Sequence, residues 1–466
     1  MNSAGGKEPD PRRDLPSVDE LLRRTEVASW SEKWGREPVR ARIREVLSRA
    51  REDLQSGAPA PTTERVLAEI LRNLEHDRPS LQTVINGTGV VLHTNLGRAP
   101  LAREAARAAA SVASSYSSLE YDLEAGTRGD RYSHCAGLIA ELTGSEAALV
   151  VNNNAAAVSL TINTLARGRD VIVSRGELVE IGGGFRVPEV IERSGAYLKA
   201  VGTTNRTRIE DYRRAITPST GLLLKVHPSN YQVSGFTEET ELAELVQLGR
   251  SAGLPVMHDQ GSGLLLPDLL PDTADPPVGT SVAAEADVIT WSGDKLFGGP
   301  QAGLIHGRAA IVGELRANPM ARAFRVDKMT LAALEWTLRA YRSPELAARS
   351  LPALRMIRES ADSVRRRAEV ALSALSAGAA RAVEIVTLRS VLGGGSTPGF
   401  DIESAGWRMV EGADAAESFL RDFDPPVIGR IESGAFLLDF RTIGADEQDG
   451  VARAVTAWIE HEEISG

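Results

Sequence analysis

The chain has 466 residues and a formal net charge of −10, with 42% hydrophobic and 25% charged residues. This suits a folded protein of roughly two to four domains, at about 100–200 residues each. The single cysteine, Cys135, excludes an internal disulfide framework and a cysteine-rich zinc module. No run of about 18 apolar residues suggests a spanning helix, and the polar Met1–Asp14 stretch lacks the apolar core of a secretory signal. A cytoplasmic protein is expected. The acidic balance argues against a nucleic-acid partner unless positive charge is clustered locally.

The first stretch, to about Ser56, reads helical. Ser17-Val18-Asp19-Glu20 resembles a capping box ahead of Leu21 and Leu22. Lys33 to Arg51 carries seven basic residues against Glu37 and Glu45. Arg36, Arg40 and Arg44 recur at helical spacing and share a face. Gly57-Ala58-Pro59-Ala60-Pro61 reads as a linker, and a short helix, Thr63 to Leu74, follows.

From Ile85 short apolar runs alternate with helical stretches. Ala147–Val151, Asp170–Val173, Leu222–Val226, Pro255–His258 and Asp287–Thr290 look like buried strands, with helices such as Ala155–Ala166 and Glu239–Ala252 between them. That alternation predicts an α/β domain with a mainly parallel sheet. A long helical region follows, from Leu331 through Leu375. The tail carries strand-like Ala382–Leu388 and Ala435–Phe440 and a helix near Val451–His461, a smaller α+β domain.

Only six lysines exist: Lys7, Lys33, Lys199, Lys225, Lys295 and Lys328. Lys295 lies in Trp291-Ser292-Gly293-Asp294-Lys295-Leu296-Phe297-Gly298-Gly299-Pro300-Gln301-Ala302-Gly303, where an apolar strand meets a glycine-rich turn. Burial lowers an amine's pKa and makes it nucleophilic, which suits Schiff-base chemistry. Ser292 can donate to a phosphate. A surface loop with a solvated lysine would carry the same spacing. Asp259, in Pro255-Val256-Met257-His258-Asp259-Gln260-Gly261-Ser262-Gly263, ends a strand where open α/β sheets bind ligands. A buried carboxylate there can keep a pyridinium nitrogen protonated; a helix cap or an Asp/His metal pair are the plainer readings. His258 and Asp259 point opposite ways along a strand, so no metal is expected. Val150-Val151-Asn152-Asn153-Asn154-Ala155-Ala156-Ala157 reads as strand, turn and helix start, whose backbone N–H groups favour phosphate, although an asparagine cap without ligand is commoner. Taken in order, phosphate turn, Asp and Lys resemble the fold-type-I pyridoxal-phosphate enzymes.

Longer blocks sharpen the resemblance. Ile85-Asn86-Gly87-Thr88-Gly89-Val90-Val91-Leu92-His93-Thr94-Asn95-Leu96-Gly97-Arg98-Ala99-Pro100-Leu101 is similar to the corresponding segment of the bacterial L-seryl-tRNA(Sec) selenium transferases, the selenocysteine synthases. So are Leu119-Glu120-Tyr121-Asp122 with Gly126-Thr127-Arg128-Gly129-Asp130-Arg131, Gly202-Thr203-Thr204-Asn205-Arg206-Thr207, and the Ser292–Gly303 block. The resemblance covers nearly the whole chain.

It implies an α/β fold-type-I PLP-dependent transferase, aspartate-aminotransferase-like. A helical tRNA-binding domain would span 1–60, a linker helix 61–84, a large cofactor domain 85–340 and a small α+β domain 341–466. Pyridoxal 5'-phosphate would be bound covalently by Lys295, with Asp259 at the ring nitrogen and Asn153, Asn154 and Ser292 at the phosphate. Arg98, Arg322 and Arg325 would bind selenophosphate, a small polyanion that suits arginine's planar fork; the plainer reading of Arg322 and Arg325 is a solvated helical face. The implied reaction converts L-seryl-tRNA(Sec) to L-selenocysteinyl-tRNA(Sec) through an aminoacrylyl-tRNA, in a dimer-based homodecamer. The substrate is an ester, so no arginine is needed to clamp a free carboxylate. The alternatives are a PLP-dependent lyase acting on a small amino acid or amino sugar phosphate, and a tRNA-binding scaffold with a decayed cofactor site.

Overall fold

The computed structural model describes residues 15–55, 59–75, 80–181, 184–270 and 275–465. The stretch Met1–Asp14 and two residues of the expected linker, Gly57 and Ala58, lie outside them. The chain divides into two compact units, 1–83 and 84–466.

In the first unit Ser17 caps the helix Val18–Leu22 by accepting from the Glu20 amide at 3.1 Å. The helices Thr25–Trp34, Arg36–Gln55 and Thr63–Glu75 follow. Val39, Ile43, Val46 and Leu47 recur at helical spacing and are buried with Leu21, Val27, Val66, Ile70 and Leu74. The helix read as a linker therefore belongs to the core of this unit. Arg36, Arg44 and Arg49 are exposed, and Glu45 pairs with both Arg42 and Arg49 at 2.7 Å.

The second unit holds a seven-stranded sheet in the order Ala147–Val151, Gly303–Gly307, Val288–Ser292, Val256–Gly261, Thr220–Val226, Asp170–Ser174, Tyr197–Val201. Gly303–Gly307 runs antiparallel to both its neighbours, and the other pairs are parallel. Both faces are covered, which is why these strands read as continuous apolar runs. Val150, Ile172, Leu223 and Ile289 enter one core cluster. Leu149, Val171, Leu222, Leu224 and Val288 enter the other.

A second sheet, in the order Glu384–Val391, Asp401–Met409, Ala435–Asp439, Arg430–Glu432, is antiparallel. Its Trp407, Phe436 and Leu438 pack against Val364, Ala368, Val455 and Trp458 of two helices. The stretch expected as one helical region from Leu331 to Leu375 is broken into Lys328–Ala340, Pro344–Ser350, Pro352–Arg358 and Ala361–Leu372. Proline starts two of these helices, a position that needs no N–H donor.

Packing does not change at residue 340. Ala347, Leu351, Leu354 and Ile357 share a cluster with Trp291 and Phe297. At the other end Ile85 and Asn86 pair in parallel with Val427 and Ile428, and Leu92 donates its amide to the Leu392 carbonyl at 2.7 Å. The chain thus runs beside the small sheet before it delivers His93–Arg98 to the large one.

One close approach ties the central strands to the asparagine turn. A Cβ on Gly303 would stand 2.1 Å from the Asn153 carbonyl oxygen, so only glycine fits without displacing the turn. Gly303→Ala is expected to lower stability by about 1–3 kcal/mol, the usual range for overpacking, as measured by urea unfolding. An unchanged midpoint would show that the turn can move freely.

Candidate active site

Lys295 follows the central strand Val288–Ser292 and is only 5% exposed. Its Nζ donates to the Gly395 carbonyl at 3.3 Å. Burial depresses the amine's pKa, Arg98 depresses it further, and Asp259, Asp294 and Asp275 oppose them. The other described lysines are engaged elsewhere. Lys225 meets Glu177 at 3.2 Å, Lys199 stands 3.7 Å from Asp170, Lys328 bonds the Ser115 carbonyl, and Lys33 lies over the Trp34 ring.

Asp259 sits on the neighbouring strand, also 5% exposed. Its Oδ1 accepts from Asn154 Nδ2 at 2.8 Å and Thr290 Oγ1 at 3.1 Å. Burial pushes the carboxyl up, while Asn154, Lys295 and Thr290 pull against it. A cation placed against Asp259 would relieve that cost. His258 points away, bonded to Ser281 Oγ at 2.7 Å, and burial pushes it down to about 3. The pair therefore shares no ligand geometry, and no metal-holding cluster occurs among the described residues.

The turn at Asn152–Asn154 opens the helix Asn154–Ala166, with Asn153 Oδ1 accepting from the Ala156 amide at 2.8 Å. Asn153 is thus a helix cap. The Asn154 amide reaches Asp259, and Ser292 Oγ donates to Asp294 Oδ1 at 2.9 Å. The three residues expected at a phosphate surround the helix start, with two of their side chains tied to carboxylates.

Arg98 comes from the turn after Gly97 and takes φ 61°, unusual for a side-chain-bearing residue. Its Nη1 meets Asp294 Oδ2 at 2.9 Å, and the Ala99 amide donates to the Asp294 carbonyl. Asp294 thereby ties Arg98 to Lys295. Arg322 and Arg325 are placed differently. With Arg128, Arg131, Arg316 and Glu120 they line a pocket of about 310 Å³. Arg131 holds the Glu120 carboxyl below its usual range, and Arg325 stands 3.8 Å from it. The backbone links this pocket to the asparagine turn, because the Phe324 carbonyl accepts from the Asn152 amide at 2.8 Å. No described contact joins Arg322 or Arg325 to Arg98.

Sequence reasoning overlooked Asp294, Asp275, His227 and the Gly393-Gly394-Gly395 run. Asp294 was visible as the acid beside the lysine, and the glycine run as a tight turn. Asp275 and His227, 3.0 Å apart, carried no local signal.

Comparison with known proteins decides the family. A family model described as L-seryl-tRNA selenium transferase matches residues 84–444, and one described as selenocysteine synthase N terminal matches 12–51. The chain belongs to the L-seryl-tRNA selenium transferase family. A protein of Moorella thermoacetica named L-seryl-tRNA(Sec) selenium transferase is 48% identical over 458 residues, covering 96% of this chain and 97% of its own. One of Geobacter sulfurreducens with the same name is 47% identical over 455 residues, covering 95% and 98%. A solved structure of D-glucosaminate-6-phosphate ammonia-lyase shares the fold, with TM-score 0.57 and 21% identity over 84% of this chain and 98% of that one.

The fold is that of the fold-type-I pyridoxal-phosphate enzymes, and the family member is a pyridoxal-phosphate-dependent transferase. The residues present fit that cofactor. Lys295 offers a buried amine biased toward its neutral form, and Asp259 a buried carboxylate in need of a cation. Arg98 Nε, Asn154 Oδ1 and Asp275 Oδ2 are buried without partners around them. Buried polar atoms in folded proteins are nearly always paired, so such a group of orphans marks a ligand's place.

Arg98→Gln removes a cation that depresses the Lys295 pKa and frees Asp294, and both changes raise that pKa. Amine-reactive labelling of Lys295 in the cofactor-free protein, read by mass spectrometry, should therefore slow at neutral pH and shift its profile to higher pH. A profile that stays put or moves to lower pH would refute this electrostatic reading.

Proposed function

We propose that the chain converts L-seryl-tRNA(Sec) into L-selenocysteinyl-tRNA(Sec), with selenophosphate as the selenium donor and an aminoacrylyl-tRNA between them. The observation that carries the proposal is the buried Lys295 amine, held next to Asp259 at adjacent strand ends. When bound, pyridoxal phosphate supplies an electron sink for the charge that develops at Cα. Lys295 takes the Cα proton of the seryl group, a task that needs a neutral amine. Asp259 supplies the negative charge that keeps the ring nitrogen protonated, and Asn154 and Thr290 hold it in place. Asn153, Asn154 and Ser292, around the start of the helix Asn154–Ala166, form the phosphate end.

The β-hydroxyl leaves with a proton as water, the selenium of selenophosphate adds at Cβ, water cleaves the P–Se bond to release phosphate, and the Cα proton returns. Arg98 stands beside Lys295 through Asp294, where an anionic donor must approach. Arg322 and Arg325 complete the selenophosphate site, drawing on a pocket with more arginines than carboxylates. Residues 1–60 grip the tRNA through the exposed arginines of the helix Arg36–Gln55. The large domain of 85–340 and the small one of 341–466 close the cofactor site, the protein acts in the cytoplasm, and the working assembly is a dimer-based homodecamer. Among the described residues no helix is long and apolar enough to cross a membrane.

The deciding experiment is selenophosphate-dependent conversion of seryl-tRNA(Sec), with and without pyridoxal phosphate, against free serine as competitor substrate. Conversion should require the cofactor and the tRNA ester. Lys295→Ala should lower turnover at least about a hundredfold, the lower range for loss of a general base; full turnover in that variant would sink the scheme. Arg36→Glu with Arg44→Glu should weaken tRNA binding and flatten its salt dependence, as measured by filter binding across a salt series. An unchanged slope would move the RNA contact elsewhere.

A further inference from the structure

The segment Leu392–Thr397 leaves the strand Glu384–Val391 of the small sheet and reaches Lys295. Gly393, Gly394 and Gly395 take φ 72°, 63° and 70°, a left-handed run that favours glycine. A Cβ on Gly393 would stand 2.4 Å from Val90 Cγ1, and one on Gly394 would stand 2.8 Å from the Leu92 carbonyl oxygen. The run is therefore pressed against residues 90–92. On its other side the Thr397 amide donates to Asp275 Oδ1 at 3.0 Å, and the same oxygen pairs with His227 Nε2 at 3.0 Å. Held from both sides, the loop presents the Gly395 carbonyl to Lys295 Nζ.

The next two residues hold unused donors. Ser396 is 4% exposed and Thr397 2% exposed, and neither hydroxyl has a partner among the described residues. A buried hydroxyl left unpaired is destabilising, so these two await a group that accepts hydrogen bonds. The stretch from Ser390 to Phe400 contains no charged residue. The nearby cation, Arg98, meets Asp294 at 2.9 Å, and its remaining donors serve the anionic selenium donor. A free amino-acid carboxylate buried here would lack the counter-charge it needs. An ester carbonyl carries no charge and can accept from two hydroxyls.

We propose that Ser396 and Thr397 form the subsite for the ester end of the aminoacyl group, and so select an aminoacyl ester over the free amino acid. The inference rests on the reading of the substrate as a seryl ester. Neither residue moves a proton in the reaction; both position the acyl group beside Lys295.

The test uses the full-length holoenzyme with Ser396→Ala, Thr397→Val and Thr397→Ser. The measurements are kcat and KM for seryl-tRNA, the visible absorbance of the bound cofactor, and the absorbance change on adding free L-serine. Ser396→Ala and Thr397→Val should each lower kcat/KM about five- to tenfold, as expected for a lost neutral hydrogen bond. Cofactor absorbance and the free-serine response should stay at wild-type values, and Thr397→Ser should retain wild-type kcat/KM. If Ser396→Ala fails to fold, Ser396→Cys carries the same test with a weaker donor of nearly the same shape.

Unchanged kcat/KM in both variants overturns the inference. Loss of cofactor absorbance also overturns it, by assigning the hydroxyls to the cofactor. An equal loss of the free-serine response does so by assigning them to the amino-acid part. A wild-type enzyme that leaves seryl-tRNA unconverted would instead overturn the functional reading on which the inference rests.

Discussion

An ammonium buried among strand ends is expensive, and the site is organised around that cost. Lys295 lies in the interior with a carbonyl as its hydrogen-bond partner, and burial together with Arg98 drives it toward the neutral amine. Three carboxylates, Asp259, Asp294 and Asp275, act in the opposite sense. The balance shifts the amine toward its neutral form, the form that attacks or accepts a proton, and keeps it close to carboxylates that tolerate its protonated form. Asp294 contributes in two ways, because it pairs with Arg98 and so couples the cation that depresses the amine to a carboxylate that raises it.

The elements around Lys295 come from distant parts of the chain. The central strands supply Asp259 and Lys295, and the helix opening at Asn154 supplies the amide that steadies Asp259. Residues 85–92 run along the small sheet and end in the turn that delivers Arg98. The small sheet returns through Gly393–Thr397 and places a carbonyl on the lysine itself. Folding of the small sheet and completion of the site are therefore linked by direct hydrogen bonds, Leu92 to Leu392 and Lys295 to Gly395. The arginines divide into two groups. Arg98 is beside the amine, whereas Arg322 and Arg325 share a separate pocket with Arg128, Arg131 and Arg316, joined to the site through the Asn152 backbone.

Much of this was legible in one dimension. Strands buried on both faces leave apolar runs of four to six residues, and the segments around Leu149, Ile172, Leu223, Met257 and Ile289 showed them. Gly303–Gly307 leaves a weak trace because two glycines bracket only Leu304, Ile305 and His306, and its antiparallel course depends on the return loop 293–302. The division of helices between layers was also hidden. Helical periodicity says that a face is buried but not against what, so the packing of Leu351 and Leu354 with Trp291 and that of Val66 and Ile70 with Ile43 are not legible in it.

The sequence by itself determined the chemistry available to this protein. A scarcity of lysine, a glycine-rich block after an apolar strand, an aspartate at a strand end and several family-like segments named Lys295, Asp259 and the cofactor class, because those signals are local in the chain. Tertiary structure alone decided which groups act on them. Asn154 turns to Asp259, Asp294 holds Arg98, and Asp275 joins His227 to the Thr397 amide across more than a hundred residues of chain. Such contacts depend on the register of strands and the closeness of two sheets, and neither leaves a periodic trace in the residues that make them.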